Sequence, residues 1–445
     1  MSVTIIGCDD VNCACRFPKR NFLVEIILIP FSIIIYLRNA DMASFLKKLP
    51  KYFSVNKNTG RKIFHKNSQI NVNSELGYEY LFNVFVNDSC PDKLLVTKIW
   101  VSDLVGKIES ESILSLTNFP LLNFIRIRLR ILAMVEWLAQ GESQTIVSDM
   151  TMLTEVNEKI IYKYNFHNIF RKVGNRISDK YLKKKYWNIR IARKSDTAEI
   201  QIFRSKCFGS ADPFLLDYNG KTFLFFEVLE KKNAPGKIAV SSWESFETVS
   251  SLVNLDYKVI LDTGYHLSFP FVFLDKGKFL MIPESTSEGS NYFYKSAEPL
   301  GPWERVGPIK IGYPILDPII ISKYNKYILI GSRRLTGDCS GGSLLEAYES
   351  NSLEGDWTKV LNFSIWDDRT SRNAGYKIES NRVDRFAQSF CGDIYGHHVS
   401  SHFIRLELEG ESLKLSSYES KEVHSEYRSH HLSFSKNWNA YDVFD

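Results

Sequence analysis

The sequence predicts a mainly β protein, a five-bladed β-propeller preceded by a smaller α/β domain. Three observations lead there. Phe, Tyr and Trp make up 13% of the 445 residues, an enrichment that suits strands better than helical bundles. Three proline-opened strand pairs recur in the second half of the chain, their prolines 57 and 48 residues apart. The first 150 residues have a different texture, with short apolar runs between polar connectors.

At roughly 150 residues per domain the length allows two or three domains, and the chain divides at 150 and 186. In residues 1–150, runs such as 80–86 and 94–101 read as strands by length and composition. The apolar run from Phe22 to Leu37 contains Glu25 and Pro30 and is shorter than the ~20 residues of a spanning helix. It follows Arg16, Lys19 and Arg20, as a signal peptide would, but no small-residue cleavage site comes after it. One or two buried strands broken at Pro30 are expected instead. The seven cysteines are an odd number, with three at Cys8, Cys13 and Cys15 and the rest scattered. That spacing fits free thiols in a reducing, cytoplasmic compartment better than a disulfide framework. The triplet lacks a second ligand pair, so no metal is expected there.

Residues 151–186 read as a basic helical connector. Between Leu153 and Tyr186, Lys159, Lys163, Arg171, Lys172, Arg176 and a Lys183–Lys185 run outnumber the acids, while Ile160, Ile161, Tyr164, Ile169 and Phe170 form one apolar face. The basic side is either plainly solvated or a peripheral contact with anionic lipid.

From 187 to 445 the chain repeats. Asp212-Pro213, Phe269-Pro270 and Asp317-Pro318 each open a strand that passes through a tight turn into a second apolar strand. The turns are Asn219-Gly220, Lys276-Gly277 and Asn325-Lys326, a hairpin signature. Gly301-Pro302-Trp303 and Gly355-Asp356-Trp357 mark two of the units a second time. A period near 50 with several strands per repeat indicates propeller blades, and these 259 residues hold five. Closing the ring removes exposed edges and gathers one loop per blade around a central pocket.

The net charge of +5 is too small for a dedicated nucleic-acid binder. No phosphate loop and no dinucleotide fingerprint occurs, so no cofactor is expected. His397 and His398 are adjacent and would point to opposite faces of a strand, so no metal is expected there either.

Several ordered motifs resemble a known family. Ala211-Asp212-Pro213-Phe214, Phe225-Phe226-Glu227, Tyr265 to Pro270, Met281 to Ser285, Asp317-Pro318, Arg372 to Gly375, Arg385 to Gln388, Tyr395-Gly396 and His430 to Ser433 look like the N-terminal propeller of plant glucosamine inositolphosphorylceramide transferases and its bacterial relatives. The resemblance covers residues 187–445 and implies a propeller akin to glycoside hydrolase families 43 and 32. In the plant proteins transfer is assigned to a separate C-terminal glycosyltransferase domain, which these 445 residues do not contain, so a separate glycosyltransferase partner is expected. Residues 83–106 look faintly like a formyltransferase-like domain without its catalytic signature, which implies a degenerate one.

By the same resemblance Asp212 stands where related hydrolases carry their base, and Asp317 repeats that position. Glu284, after Pro283, is the acid candidate. Cleaving or transferring a glycosidic bond needs two such carboxyls, and these three form the catalytic set. Phe269 stands where many family 43 relatives have Asp. The competing account of an Asp-Pro pair is a simple strand opener. Glu227, His266, Arg372, Arg385, Gln388 and His431 form the substrate-binding set, with no metal. Guanidinium groups suit an anionic ligand, and Arg333-Arg334 sit in a comparable place. The two histidines either contact hydroxyls or tie loops together.

Asp212, His266, Glu284, Asp317 and His431 are expected to converge near the axis from separate blades. Two functions fit. One is a carbohydrate-active protein of bacterial surface-polysaccharide or glycolipid biosynthesis, handling a glycan, sugar nucleotide or lipid-linked sugar by transfer or hydrolysis. The other is a non-catalytic glycan-binding scaffold.

Overall fold

The computed structural model describes residues 4–6, 68–73, 79–87, 96–102, 108–115, 130, 133, 134 and 137. It then describes 186–444 apart from 196–197, 204–205, 324–325, 335–343, 368–369, 380–381, 389–399, 410–411, 418–422 and 425–428. The cysteine triplet, the 22–37 run, the connector before Tyr186, the Asn325 turn position and the 395–398 motif lie outside the described residues. No helix among the described residues is long and apolar enough to cross a membrane.

The first strands are β1 (Thr4–Ile6), β2 (Ser68–Asn73), β3 (Glu79–Asn87), β4 (Val96–Ser102) and β5 (Ile108–Ser115), paired antiparallel in sequence order. Next come β6 (Trp187–Arg193) and β7 (Glu199–Gln201). Then successive antiparallel blades follow. Blade I is β8 (Gly209–Tyr218), β9 (Lys221–Leu229), β10 (Lys237–Glu244) and β11 (Lys258–Leu261). Blade II is β12 (Ser268–Asp275), β13 (Lys278–Glu284), β14 (Tyr292–Ser296) and β15 (Glu304–Pro308). Blade III is β16 (Leu316–Lys323), β17 (Lys326–Arg333), β18 (Leu344–Ser350) and β19 (Thr358–Asp367).

Blade IV is β20 (Arg372–Glu379), β21 (Arg382–Gln388), β22 (Ser400–Glu409) and β23 (Ser412–Ser417), with β24 (Val423–His424) paired to β22. Blade V joins two distant pieces of chain. β25 (Leu432–Phe434) and β26 (Trp438–Phe444) pair with β6 and β7, in a register running from Trp438 opposite Arg193 to Phe444 opposite Trp187. This pairing closes the ring. The inner strands touch in the cyclic order β8, β12, β16, β20, β25 and back to β8.

The turns follow from their residues. Asn219 and Gly220 both have positive φ, as do Lys276 and Gly277, which is the twist a two-residue hairpin needs. The two tryptophan markers join the third and fourth strands of blades II and III. The blades pack through aromatic and branched side chains such as Phe225, Phe271, Met281, Ile319 and Ile330, all fully buried.

β5 pairs parallel with β19, Trp366 opposite Ser112, so the N-terminal meander and blade III form one nine-stranded sheet. Arg130 Nη1 donates to Ser112 Oγ at 2.6 Å, and Trp137 packs edge-on against Trp366 with centroids 5.6 Å apart.

Candidate functional site

The site grows from one backbone device used three times. In blades I, II and III the pairing of the inner strand slips between Ala211 and Phe214, Ser268 and Phe271, and Leu316 and Ile319. Proline cannot donate to the ladder, so the strand bulges there. The residue before each proline is left-handed: Asp212 at φ 51°, Phe269 at 46° and Asp317 at 47°. Asp tolerates that conformation, whereas for a bulky ring it is an outlier. Blade IV slips between Asn373 and Tyr376, where Gly375 has φ 107°.

A bulge takes its N–H out of the ladder, and a buried N–H must find another acceptor. In all three cases a carboxylate of the preceding blade accepts it. Asp442 Oδ2 takes Asp212 N at 3.1 Å, Asp212 Oδ2 takes Phe269 N at 3.0 Å, and Glu284 Oε2 takes Asp317 N at 3.0 Å.

Two polar networks grow from these contacts. In the first, Asp442 Oδ1 also accepts His430 N at 2.9 Å and His431 N at 3.0 Å. The His430 ring bridges two acids, with Nδ1 2.8 Å from Asp442 and Nε2 3.4 Å from Asp212, and lies against Trp187. His431 Nδ1 is 3.5 Å from Asp212 Oδ1. Burial alone would raise the Asp212 carboxyl. The His431 hydrogen bond, the His430 and His431 charges and the Phe269 N–H outweigh it and hold its pKa at about 2. Burial likewise opposes charging of His430, but Asp442, Asp212 and Asp317 raise it to about 9. Asp212, His430 and Asp442 offer ligand atoms within 4.8 Å of one another. Here an imidazolium already supplies the positive charge, and main-chain N–H groups occupy the Asp442 oxygens.

In the second network Arg372 grips Asp317 with two bonds, Nε to Oδ2 at 2.5 Å and Nη2 to Oδ1 at 2.9 Å, and reaches Glu284 Oε2 at 3.3 Å. Gln388 Nε2 adds a bond to Asp317 Oδ2 at 3.0 Å. Asn373 Nδ2 holds the main-chain oxygens of Asp317 and Ile330. Arg385 Nη1 donates to Asn373 Oδ1 at 2.8 Å, and its Nη2 to Thr370 O. Burial, then the Asp317 charge, push the Glu284 carboxyl up to about 8, against the pull of Arg372.

Exposure divides these residues into a floor and a mouth. The side chains of Asp317, Arg372, His430, His431 and Asp442 are 0–4% exposed, and Arg385 is fully buried. Glu227 and Glu284 keep 11% of their side chains open, and His266 keeps 49%. His266 Nε2 lies 3.5 Å from Glu227 Oε1. Burial and the neighbouring Asp212 raise Glu227 well above the usual carboxylate range, and Glu284 and Asp442 add to this against His430.

The expected residues thus meet around the axis, in two layers. Asp212, Asp317 and His431 belong to the floor. Arg372, Arg385 and Gln388, expected to contact substrate, are buried and bond to Asp317, Asn373 and the turn before β20. Arg333 pairs with Glu346 at 3.1 Å. Asp442 and Gly236 escaped the sequence reading, while His430 and Asn373 stood in its motifs without an assigned role. A His-His pair and an alternating final strand were the available signals.

A family model described as the N-terminal part of glucosamine inositolphosphorylceramide transferase 1 matches residues 193–443. Glucosamine inositolphosphorylceramide transferase 1 of Arabidopsis thaliana is 31% identical over 195 residues, 42% of this chain and 24% of that protein. The protein of the same name from Oryza sativa subsp. japonica is 26% identical over 219 residues, 48% of this chain and 27% of that protein. The matched stretches thus span about a quarter of these relatives' length. Among solved structures, a thermostable family-43 glycoside hydrolase aligns with a TM-score of 0.38 at 13% identity, over 53% of this chain and 88% of that one. A family-62 alpha-L-arabinofuranosidase catalytic domain from Coprinopsis cinerea aligns with a TM-score of 0.39 at 11% identity, over 58% and 97%.

Proposed function

The chain belongs to the family of the glucosamine inositolphosphorylceramide transferase 1 N-terminal domain, and from that premise we propose that its propeller mouth handles a glycan during glycolipid or surface-polysaccharide assembly. The observation that carries this reading is a pair of carboxyls with opposed protonation around one axis. Glu284 is raised to about 8 and is an acid at neutral pH, while Asp212 is held at about 2 and is an anion. Environments that separate two carboxyls in this way are how one site runs acid and anion roles together.

On this reading Glu284 protonates the leaving oxygen of a glycosidic or phosphosugar bond. Asp212 supplies negative charge beneath the oxocarbenium-like carbon, and burial together with the Asp317 charge keeps the proton on Glu284 against the pull of Arg372. Glu227, held by His266 at the open edge of the mouth, contacts sugar hydroxyls. The reading includes work in the cytoplasm on lipid-linked sugars, with residues 153–186 as the membrane-facing contact and a separate glycosyltransferase as partner.

A specific observation favours a second reading. Both oxygens of Asp317 and Oδ2 of Asp212 already accept hydrogen bonds within the protein, which suits a scaffold that binds a glycan without turnover. One experiment separates the two. Wild type, Glu284→Gln and Asp212→Asn are tested on a glycan array and on a panel of sugar nucleotides and aryl glycosides. Turnover that falls at least 100-fold in Glu284→Gln supports the enzyme, and binding without turnover supports the scaffold. Neither binding nor turnover by wild type defeats both.

A further inference from the structure

Between the blade I hairpin and the loop entering blade II lies a contact that fixes the position of a single hydrogen. The Gly236 N–H donates to His266 Nδ1 at 2.9 Å, and Gly236 O accepts Leu267 N at 2.9 Å. A nitrogen that accepts a hydrogen bond carries no hydrogen, so His266 is neutral with its proton on Nε2. That Nε2–H faces Glu227 Oε1 at 3.5 Å. The fit requires glycine. A Cβ at residue 236 would lie 2.5 Å from Glu227 Oε1, 2.5 Å from Leu267 O and 3.0 Å from His266 Cε1.

Glu227 receives no ammonium or guanidinium partner among the described residues. The groups around it are Asp212 from β8, Glu284 from β13, Asp442 from β26, His430 ahead of β25 and His266 from the loop before β12. Burial and the Asp212 and Asp442 carboxylates, against one imidazolium, favour the uncharged carboxyl. With Oε1 facing the imidazole N–H, the acidic hydrogen sits on Oε2.

We propose that Gly236, His266 and Glu227 form a directed donor relay, in which Gly236 sets the His266 tautomer, His266 holds Glu227 Oε1, and Glu227 donates O–H from Oε2 to an oxygen of a bound sugar. Gly236 and His266 are positioning residues, and Glu227 is the ligand-contacting donor. Only the identity of the acceptor rests on the carbohydrate reading. The tautomer and the protonation state stand apart from it. Burial, opposed by the Asp212 charge, also lowers the His266 pKa, in keeping with a neutral ring.

The test uses the full chain with histidine-selective ¹⁵N labelling, the His266 resonance being identified by its loss in His266→Gln. Long-range ¹H–¹⁵N spectra at pH 7 are expected to show the Nε2–H tautomer, and Gly236→Ala should convert it to a tautomer mixture. A Nδ1–H or doubly protonated ring in wild type overturns the relay. If Gly236→Ala does not fold, ¹³C titration of Glu227 decides. A carboxyl that is protonated at pH 7 supports the proposal, and an ionised one overturns it. On a printed array of neutral and amino-sugar oligosaccharides, Glu227→Gln, which keeps a donor, should bind within about threefold of wild type, while Glu227→Ala should lose at least tenfold. Equal loss in both variants overturns the donor role. Silence of the wild type on the array defeats the carbohydrate reading instead, with the relay decided by the spectra.

Discussion

Asp212 reaches from one blade to the next, its Oδ2 accepting the main-chain N–H of Phe269 at 3.0 Å. The same clasp joins Asp442 to Asp212 and Glu284 to Asp317. A bulge in each of three inner strands frees a buried N–H, and a carboxyl oxygen from the preceding blade satisfies it, with a stronger bond than a neutral group would make where that carboxyl is ionised, as at Asp212. The carboxylates that carry the proposed chemistry therefore also tie the ring together.

Removing one clasp should be costly. Asp212→Ala leaves the buried Phe269 N–H without its acceptor, at about 1–3 kcal/mol. At roughly 2–4 °C per kcal/mol for a unit of this size, Tm should drop by several degrees. Asp212→Asn keeps an oxygen for Phe269 and should drop less. Calorimetry on the two variants checks the order, and equal Tm values for wild type and Asp212→Ala would remove the clasp from the account.

The pH profile should be asymmetric. Asp212, depressed to about 2 from 3.8, contributes stability that is complete above about pH 4 and is lost as pH falls through 2. Glu284, raised to about 8 from 4.5, is favourable in its protonated form, so its contribution is complete below about pH 4.5 and is lost as pH rises through 8. His430, raised to about 9 from 6.5, contributes fully below 6.5 and loses that contribution through 9. Stability should thus peak near pH 4–5 and decline toward 9. Glu284→Gln should flatten the decline between 4.5 and 8. A Tm that rises across that interval in wild type contradicts the assignment.

Some of this was legible in the sequence for a simple reason. Pro213, Pro270 and Pro318 cannot donate to a ladder, so each marks the bulge that turns Asp212, Phe269 and Asp317 toward the axis. Asn219-Gly220 carries its turn chemistry in two letters. Asp442 and His430 were hidden because their roles depend on ring closure. Blade V is assembled from β6 and β26, which lie at opposite ends of the 187–444 region, so no local repeat announces it. Phe269 also breaks the pattern. Its ring, 1% exposed, packs against Phe214 and His431 where blades I and III place a carboxylate. The internal partners of Arg372 and Arg385 were not legible, because charge in a sequence does not reveal which side of a strand its partner occupies.

Two glycines with positive φ should respond differently to alanine. At Gly220 nothing lies within 4 Å of a new Cβ, so Gly220→Ala bears only the left-handed backbone penalty, about 1–2 kcal/mol. At Gly375 a Cβ would meet Leu432 O at 1.9 Å, where blade IV approaches blade V. Gly375→Ala should lose at least twice as much stability in urea titrations. Matching losses would mean that the two inner strands can separate without cost.

The propeller should depend on the chain that precedes it. β19 is the outer strand of blade III, and its edge is covered by β5, a strand from outside the region that the family model matches. Side chains lock that pairing. Trp137 and Trp366 are almost fully buried against each other, Lys359 Nζ lies 5.6 Å over the Trp137 ring, and Arg130 lies 5.5 Å over Trp366. An uncovered edge strand beside an exposed tryptophan is a template for self-association. A chain beginning at residue 187 should therefore form dimers or larger species in light scattering at concentrations where the full chain does not. Trp137→Ala in the full chain should cost about 3–5 kcal/mol, the usual loss for a buried tryptophan, and should make the segment around residues 108–137 the first site of proteolysis. A monomeric 187–445 fragment with the urea midpoint of the full chain would show instead that the five blades need no cover, and that the β5–β19 pairing joins two independently stable units.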